Sequence, residues 1–209
     1  MTPNAPDATM ADACFRATGD TIPLDHGYIL LGALSRLVPA LHERPAWGVH
    51  TIPGRQAGPG LLGLDGKSVA RVRLPPEEVG ALFPLVGANL DLAGHALRLG
   101  ALTLRPLVPA ASLWAKFVTL RGHLEPESFL HTLRRQLAEI EHLGQDPERI
   151  ELAVGQRRIL RIKDKNVVGF AVEVAGLEAQ ASLRLQQVGL GGRRHMGAGL
   201  FIPKTRRSA

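Results

Sequence analysis

The stretch "RIELAVGQRRILRIKDKNVVGFAVEVAG", residues 149–176, decides the fold. Runs rich in Val, Ile and Leu flank the polar "KDKN" at 163–166, the composition of strand, hairpin turn and strand. A helix is expected on each side of that hairpin. "EPESFLHTLRRQLAEIEHLG" (125–144) sets Phe129, Leu133, Leu137 and Ile140 on one helical face, with Gly144 as its stop. "LEAQASLRLQQVG" (177–189) reads as the second helix. A strand, "SLWAKFVTLRG" (112–122), precedes this block and another, "GLFIP" (199–203), closes it. The order is β-α-β-β-α-β.

The first half repeats the order without repeating the sequence. "ACFRATG" (13–19) alternates as a strand does, and a helix is expected from Asp25, its cap, through Leu41. Leu30, Leu34, Leu37, Val38 and Leu41 form its apolar face, and Pro39 should kink it or end it early. "WGVHTI" (47–52), a glycine-rich link at 54–66 and "SVARVRL" (68–74) supply two strands. "PPEEVGALFPLV" (75–86) begins as a helix, with prolines and glutamates in its first turn, and "HALRLGALTLRPL" (95–107) ends the unit as strand. Residues 1–10 are polar and small and are expected to form a loose leader. The expected fold class is α+β: two tandem ferredoxin-like (RRM-like) βαββαβ domains, over residues 11–108 and 110–204.

Composition narrows the function. The 209 residues are 45% hydrophobic, enough to fill cores, and no apolar run reaches the length of a membrane span. No N-terminal stretch has the pattern of a signal peptide, so a cytoplasmic location is expected. Cys14 is the single cysteine, which excludes an internal disulfide framework and a cysteine-based zinc site. Twenty-five Lys and Arg against nineteen Asp and Glu give a net charge of +6 and a pI near 10.2. Such a balance fits a polyanionic partner, most simply nucleic acid, although a basic soluble protein of another kind has the same charge. Distribution favours the first, because the region from Leu183 onward is rich in Lys and Arg and has no acid. With one Tyr, two Trp and six Phe, stacking of many unpaired bases is not supported.

Between the last helix and the last strand lies "VGLGGRRHMGAGLFIP" (188–203), with five glycines and two arginines. It follows a helix and lacks a terminal Gly-Lys-Ser/Thr, so it is neither a dinucleotide fingerprint nor a phosphate-binding P-loop. Gly191, Gly192 and Gly197 are expected to bring bare backbone N–H groups close to phosphate oxygens. Arg193 and Arg194 would add charge-assisted bonds, with His195 beside them. On the hairpin, Arg157, Arg158, Arg161, Lys163 and Lys165 form a second basic group, and the alternation of 161, 163 and 165 suggests one shared face. Lys204 and the basic tail after it add nonspecific attraction. Arg134 and Arg135 lie off the apolar stripe of their helix and read as solvated surface. No His-x-x-x-His pair with a metalloprotease Glu and no Gly-x-Ser-x-Gly elbow occurs.

Tandem ferredoxin-like units with a glycine-rich, arginine-bearing loop before the last strand resemble the CRISPR-associated repeat-processing endoribonucleases of the RAMP superfamily. "DHGYILLGALSRLVPALHERPAWGVHTI" (25–52) is similar to their first helix and the turn after it, and "GAGLFIP" (197–203) to their closing strand. The resemblance implies cleavage of precursor CRISPR RNA within its repeats, without metal or other cofactor. It also implies attack by the neighbouring 2′-hydroxyl, a 2′,3′-cyclic phosphate product and retention of the product stem. The implied partners are the CRISPR repeat RNA stem-loop and other subunits of a CRISPR interference complex.

Such a reaction needs one proton removed, one donated, and positive charge on the phosphorane. Histidine suits both transfers, and the chain has eight. His42, in "ALHERP", matches the family's catalytic histidine position; an ordinary helix-end histidine is its rival reading. His26, at the start of the same helix, is second. A straight helix would hold these two roughly 24 Å apart, so at most one touches the scissile phosphate. His50, on a strand, is third, and Tyr28 matches a helper tyrosine only loosely. Relatives place a lysine soon after the histidine. Here Arg44 follows instead, leaving Arg193, Arg194 and His195 as other sources of the stabilising cation. A guide-RNA-binding subunit that does not cut, and a general RNA-binding domain pair, are the alternatives.

Overall fold

The computed structural model describes residues 9–140, 143, 149–162 and 165–204. The chain divides into two compact units, with the division between Leu107 and Val108.

In the first unit, β1 (Ala11–Thr18), β2 (Thr21–Pro23), α1 (Gly27–Leu37), α2 (Ala40–Glu43), β3 (Gly48–His50), β4 (Arg55–Gln56), β5 (Leu61–Gly63) and β6 (Val69–Leu74) come first. A 3-10 helix over Pro76–Leu85, β7 (Asn89–Asp91) and β8 (Ala96–Pro106) complete it. The main sheet is antiparallel in the order β3-β6-β1-β8-β7, a ferredoxin-like order with β7 added at one edge. Ala13, Phe15 and Ala17 alternate along β1 and are buried, as are Leu30, Leu31 and Leu34 of α1 and Leu82 and Leu85 of the 3-10 helix.

Asp12 and Cys14 alternate with those residues and are buried too. Asp12 stands across from Arg73 and accepts from its Nε at 2.8 Å and its Nη2 at 3.1 Å, with Arg71 Nη1 at 3.4 Å. Arg73 is fully buried, and a charge so placed requires its countercharge. Burial pushes the Cys14 thiol above its ordinary pKa by disfavouring the thiolate.

Three departures from the sequence reading have physical reasons. The expected helix from Asp25 to Leu41 is two helices, because Pro39 has no N–H to continue the ladder. The expected helix at 75–86 is a 3-10 helix with Pro84 inside it, closed by short bonds such as Glu78 N–H to Pro75 O at 3.0 Å. The glycine-rich link contributes β4 and β5 to a small sheet ordered β2-β5-β4, which no apolar run announces.

The second unit contains β9 (Ser112–Val118), α3 (Pro126–Ala138), β10 (Glu151–Ile162), β11 (Lys165–Ala175), α4 (Ala179–Val188), a 3-10 turn at Arg194–Met196 and β12 (Ile202–Pro203). Its antiparallel sheet runs β10-β11-β9-β12, again ferredoxin-like. The closing strand is only two residues long, shorter than "GLFIP" suggests. Gly144, Lys163 and Asp164 lie outside the described residues. Leu113, Ala115, Val118, Phe170, Val172 and Val174 of the sheet share one core with Phe129, Leu133 and Leu137 of α3 and Leu185 of α4. The Phe129 and Phe170 rings pack with centroids 4.6 Å apart.

Phe117 faces the other way and joins Val167 and Ala198 in a second, smaller cluster flanked by Leu160 and Ile162. Its ring lies over Gly169: a Cβ there would stand 2.6 Å from two ring carbons and would also strike the Val118 carbonyl oxygen. A close approach of this kind, to backbone as well as ring, admits no side chain. Gly169→Ala should therefore lower the unfolding free energy by about 2–3 kcal/mol, as overpacking does. A urea titration followed by circular dichroism measures it.

Candidate active site and nucleic-acid interface

His42 sits on a segment whose backbone is fixed by its buried neighbours. Val38, Leu41 and Trp47 are buried, and the chain between them is a run of tight turns. Leu41 N–H bonds Val38 O at 3.2 Å, His42 N–H bonds Pro39 O at 2.9 Å, and Arg44 N–H bonds Ala40 O at 3.0 Å. Trp47 N–H closes on Arg44 O at 3.0 Å. The His42 side chain stands outside this framework, exposed to solvent. Its neighbour Arg44 places Nε 3.5 Å from a Glu78 carboxylate oxygen, a surface pair that leaves the guanidinium more than half exposed.

His26 has a different role. It is fully buried. The Ile52 N–H donates to His26 Nε2 at 2.8 Å, so the ring proton is on Nδ1, which lies 2.9 Å from the Pro23 carbonyl oxygen. A neutral imidazole thus bridges the end of β2 to the chain after β3. The expectation that His26 handles a reacting proton is corrected here, since both ring nitrogens are bonded inside the core. His50 is mostly buried, with Nε2 3.9 Å from Asp12 Oδ1 beside the Asp12–Arg73 pair. Tyr28 is half-buried on the first turn of α1. Among the described residues no group of three or more His, Cys, Asp or Glu could hold a metal ion.

In the second unit the glycine-rich segment is seated on the end of β9. Gly192 N–H bonds Thr119 O at 3.2 Å and Gly199 N–H bonds Phe117 O at 2.8 Å. Gly191 N–H bonds Gln136 Oε1 of α3 at 3.0 Å, and Gly197 N–H bonds Arg194 O at 3.1 Å. The amide donors of Gly191, Gly192 and Gly197, expected to grip phosphate, are therefore taken up within the protein. Gly191 answers a steric need instead: its φ is 71°, and a Cβ there would stand 2.5 Å from Thr119 O.

Arg194 also turns inward, donating from Nη1 to Val188 O at 2.7 Å and from Nη2 to Gln187 O at 2.5 Å. His195 is half-buried, whereas Arg193 is exposed. Gln136, Phe117 and Thr119, which seat the segment, carry no mark in the sequence, because no local pattern announces a contact made across the fold.

The hairpin register sorts the remaining cations. Arg158 pairs with Gly169, under the Phe117 ring, and Leu160 pairs with Val167 of the same small cluster. Lys165 pairs with Ile162, so Arg158 and Lys165 share the face that carries Ala198 of the glycine-rich segment. Arg157 pairs with Phe170 and belongs to the opposite face. Of the three positions expected on a single face, 161, 163 and 165, the register places Arg161 opposite Asn166, one pair away from Lys165. Lys163 lies outside the described residues. Lys204 Nζ is held by both carboxylate oxygens of Glu173, at 2.6 and 2.5 Å, which reduces what it offers an outside anion. Arg134 and Arg135 are exposed on α3.

The sequence model described as Cas6 CRISPR matches residues 11–206. The chain belongs to the Cas6 family. The CRISPR-associated endonuclease Cas6 of Myxococcus xanthus (strain DK1622) is 47% identical over 195 residues, covering 93% of this chain and 82% of that protein. Among solved structures, a CRISPR-associated Cas6 protein superposes with TM-score 0.62 at 11% identity, covering 94% of this chain and 99% of that one. The product of a Cas6-related gene from Pyrococcus furiosus gives TM-score 0.63 at 14% identity over 95% and 99% of the two chains. At such identities these two likenesses speak for the fold: tandem ferredoxin-like domains of the Cas6 type.

Within this Cas6 chain the two leading histidines should separate on stability. His26→Ala removes a fully buried ring and leaves the Ile52 N–H without its acceptor, a loss of about 2–4 kcal/mol. His42→Ala, at an exposed position, should change stability by less than about 0.5 kcal/mol. Denaturant midpoints of the two variants decide this.

Proposed function

We propose that this Cas6 protein cuts CRISPR repeat RNA and remains on the product stem. The observation that carries the reading is its 47% identity, over 93% of its length, to the Myxococcus xanthus CRISPR-associated endonuclease Cas6. The chemistry is transesterification within the RNA. The ribose 2′-oxygen loses its proton and bonds to the adjacent phosphorus, the bond to the 5′-oxygen breaks, and that oxygen takes up a proton. The products are a 2′,3′-cyclic phosphate and a 5′-hydroxyl, and neither proton transfer requires a metal ion.

His42 is the residue proposed to move one of these protons. It is exposed, on a backbone held by three buried anchors, so an RNA can reach its ring without unfolding anything. Placement of that kind favours a short, repeatable proton path over a floppy one. Arg193, Arg158 and Lys165 are exposed in the second unit, with Arg158 and Lys165 on the sheet face beside the glycine-rich segment, and are proposed to track the phosphates of the repeat stem. Arg157 and Arg161 extend the basic hairpin. Other subunits of an interference complex are proposed as further partners on the strength of the family alone.

His42→Ala should slow cleavage of the cognate repeat hairpin in excess chelator by about 10²- to 10⁴-fold, with binding of the intact hairpin retained. Single-turnover kinetics with end-group analysis of the products tests this. Undiminished cleavage by the variant removes His42 from the mechanism. Tight binding of intact repeat RNA by the parent protein with no product would mark it as a guide-RNA holder instead.

A further inference from the structure

We propose that the two adjacent arginines of the glycine-rich segment divide the work of holding RNA between them. Arg193 contacts RNA phosphate, and Arg194 is a positioning residue that latches the segment in place before RNA arrives. The inference deepens the repeat-RNA reading and rests on it.

Arg194 is committed to the end of α4. Its two terminal nitrogens donate to the carbonyls of Gln187 and Val188, at 2.5 and 2.7 Å. These are among the last carbonyls of the helix, groups with no intrahelical partner and a partial negative charge. A planar guanidinium meets the two carbonyls with separate nitrogens held in one rigid fork, whereas an ammonium must reach both from a single nitrogen on a flexible stem. The segment leaves α4 at Gly189 and returns to it through this side chain, so residues 189–194 form a closed loop. Gln136 Oε1 and the Thr119 carbonyl hold the same loop through the N–H groups of Gly191 and Gly192.

Arg193 sits on top of that loop in a conformation glycine would adopt more easily, φ 65° and ψ 36°. The backbone is held there through its carbonyl, which accepts from Met196 N–H at 2.9 Å and from Ala198 N–H at 3.3 Å. In a segment where glycine is plentiful, an arginine at the left-handed position is retained at a cost in strain, and its side chain is exposed. Among the described side-chain hydrogen bonds and ion pairs that side chain takes part in none. A strained, outward-pointing cation beside an inward-pointing one is the arrangement expected of a contact and its anchor.

The test uses the intact protein and two readouts. Amide hydrogen exchange is measured on the free protein, and binding of the repeat hairpin is measured across a range of salt concentrations. For Arg194→Ala and Arg194→Lys, exchange at Gly191, Gly192 and Gly199 should rise at least about tenfold. Exchange in the interior of β9 and β11 should stay as in the parent. RNA affinity should fall while the slope of log K against log salt keeps its parental value. For Arg193→Gly, the thermal midpoint should hold or rise and loop exchange should be unchanged, while the salt slope loses about one counterion.

Parental exchange at these three glycines in both Arg194 variants overturns the latch, whatever the binding does. A salt slope in Arg194→Lys flattened as much as in Arg193→Gly overturns the division of labour, as does a parental slope in Arg193→Gly. If the parent protein ignores repeat RNA, the functional reading fails, while the exchange measurement still decides the latch.

Discussion

Two carbonyl oxygens at the end of β9, those of Phe117 and Thr119, hold the part of the molecule on which RNA recognition is proposed to depend. They accept from Gly199 and Gly192, and so seat the glycine-rich segment against the sheet. The rest of the neighbourhood serves that seating. The Thr119 hydroxyl donates to Val168 O at 2.7 Å and locks the end of β9 to β11. Phe117 lies across Gly169 and brings Ala198, Val167 and Leu160 together on the outer face. A segment rich in glycine is usually taken to be mobile. Here the missing side chains of Gly189, Gly191 and Gly199 allow backbone to lie against backbone.

Much of this fold is legible in the sequence, because its two signals are strong. The hairpin at 149–176 and the helices flanking it obey simple periodicity, and the second unit follows them closely. The first unit is less legible for a definite reason. Apolar spacing runs on through Val38 and Leu41, so periodicity alone extends the first helix past Pro39, whereas hydrogen bonding stops it. The same conflict produces a 3-10 helix where the apolar residues of 75–86 suggest an α-helix. The β2-β5-β4 sheet pairs two- and three-residue strands, too short for any alternation to show.

The candidate site is legible in its residue types and not in their orientations. His42 and His26 look alike in sequence, each a histidine near a helix end. Only the fold reveals that Ile52, twenty-six residues away from His26, claims one of its ring nitrogens. Arg193 and Arg194 are likewise indistinguishable until the end of α4 is seen beside them. Arg157 and Arg158 part company because a bulge between Val154 and Arg157 sets which of the two shares a face with the glycine-rich segment. Charge and composition find the neighbourhood; pairing register and burial assign the roles.

Cys14 carries a consequence of its own. It is the chain's single cysteine, it lies sealed within β1 at the middle of the first sheet, and burial keeps its sulfur protonated. A thiol reagent reaches it once that face of β1 is uncovered, and no other sulfhydryl competes for the label. The protein thus carries a native chemical clock for the exposure of β1.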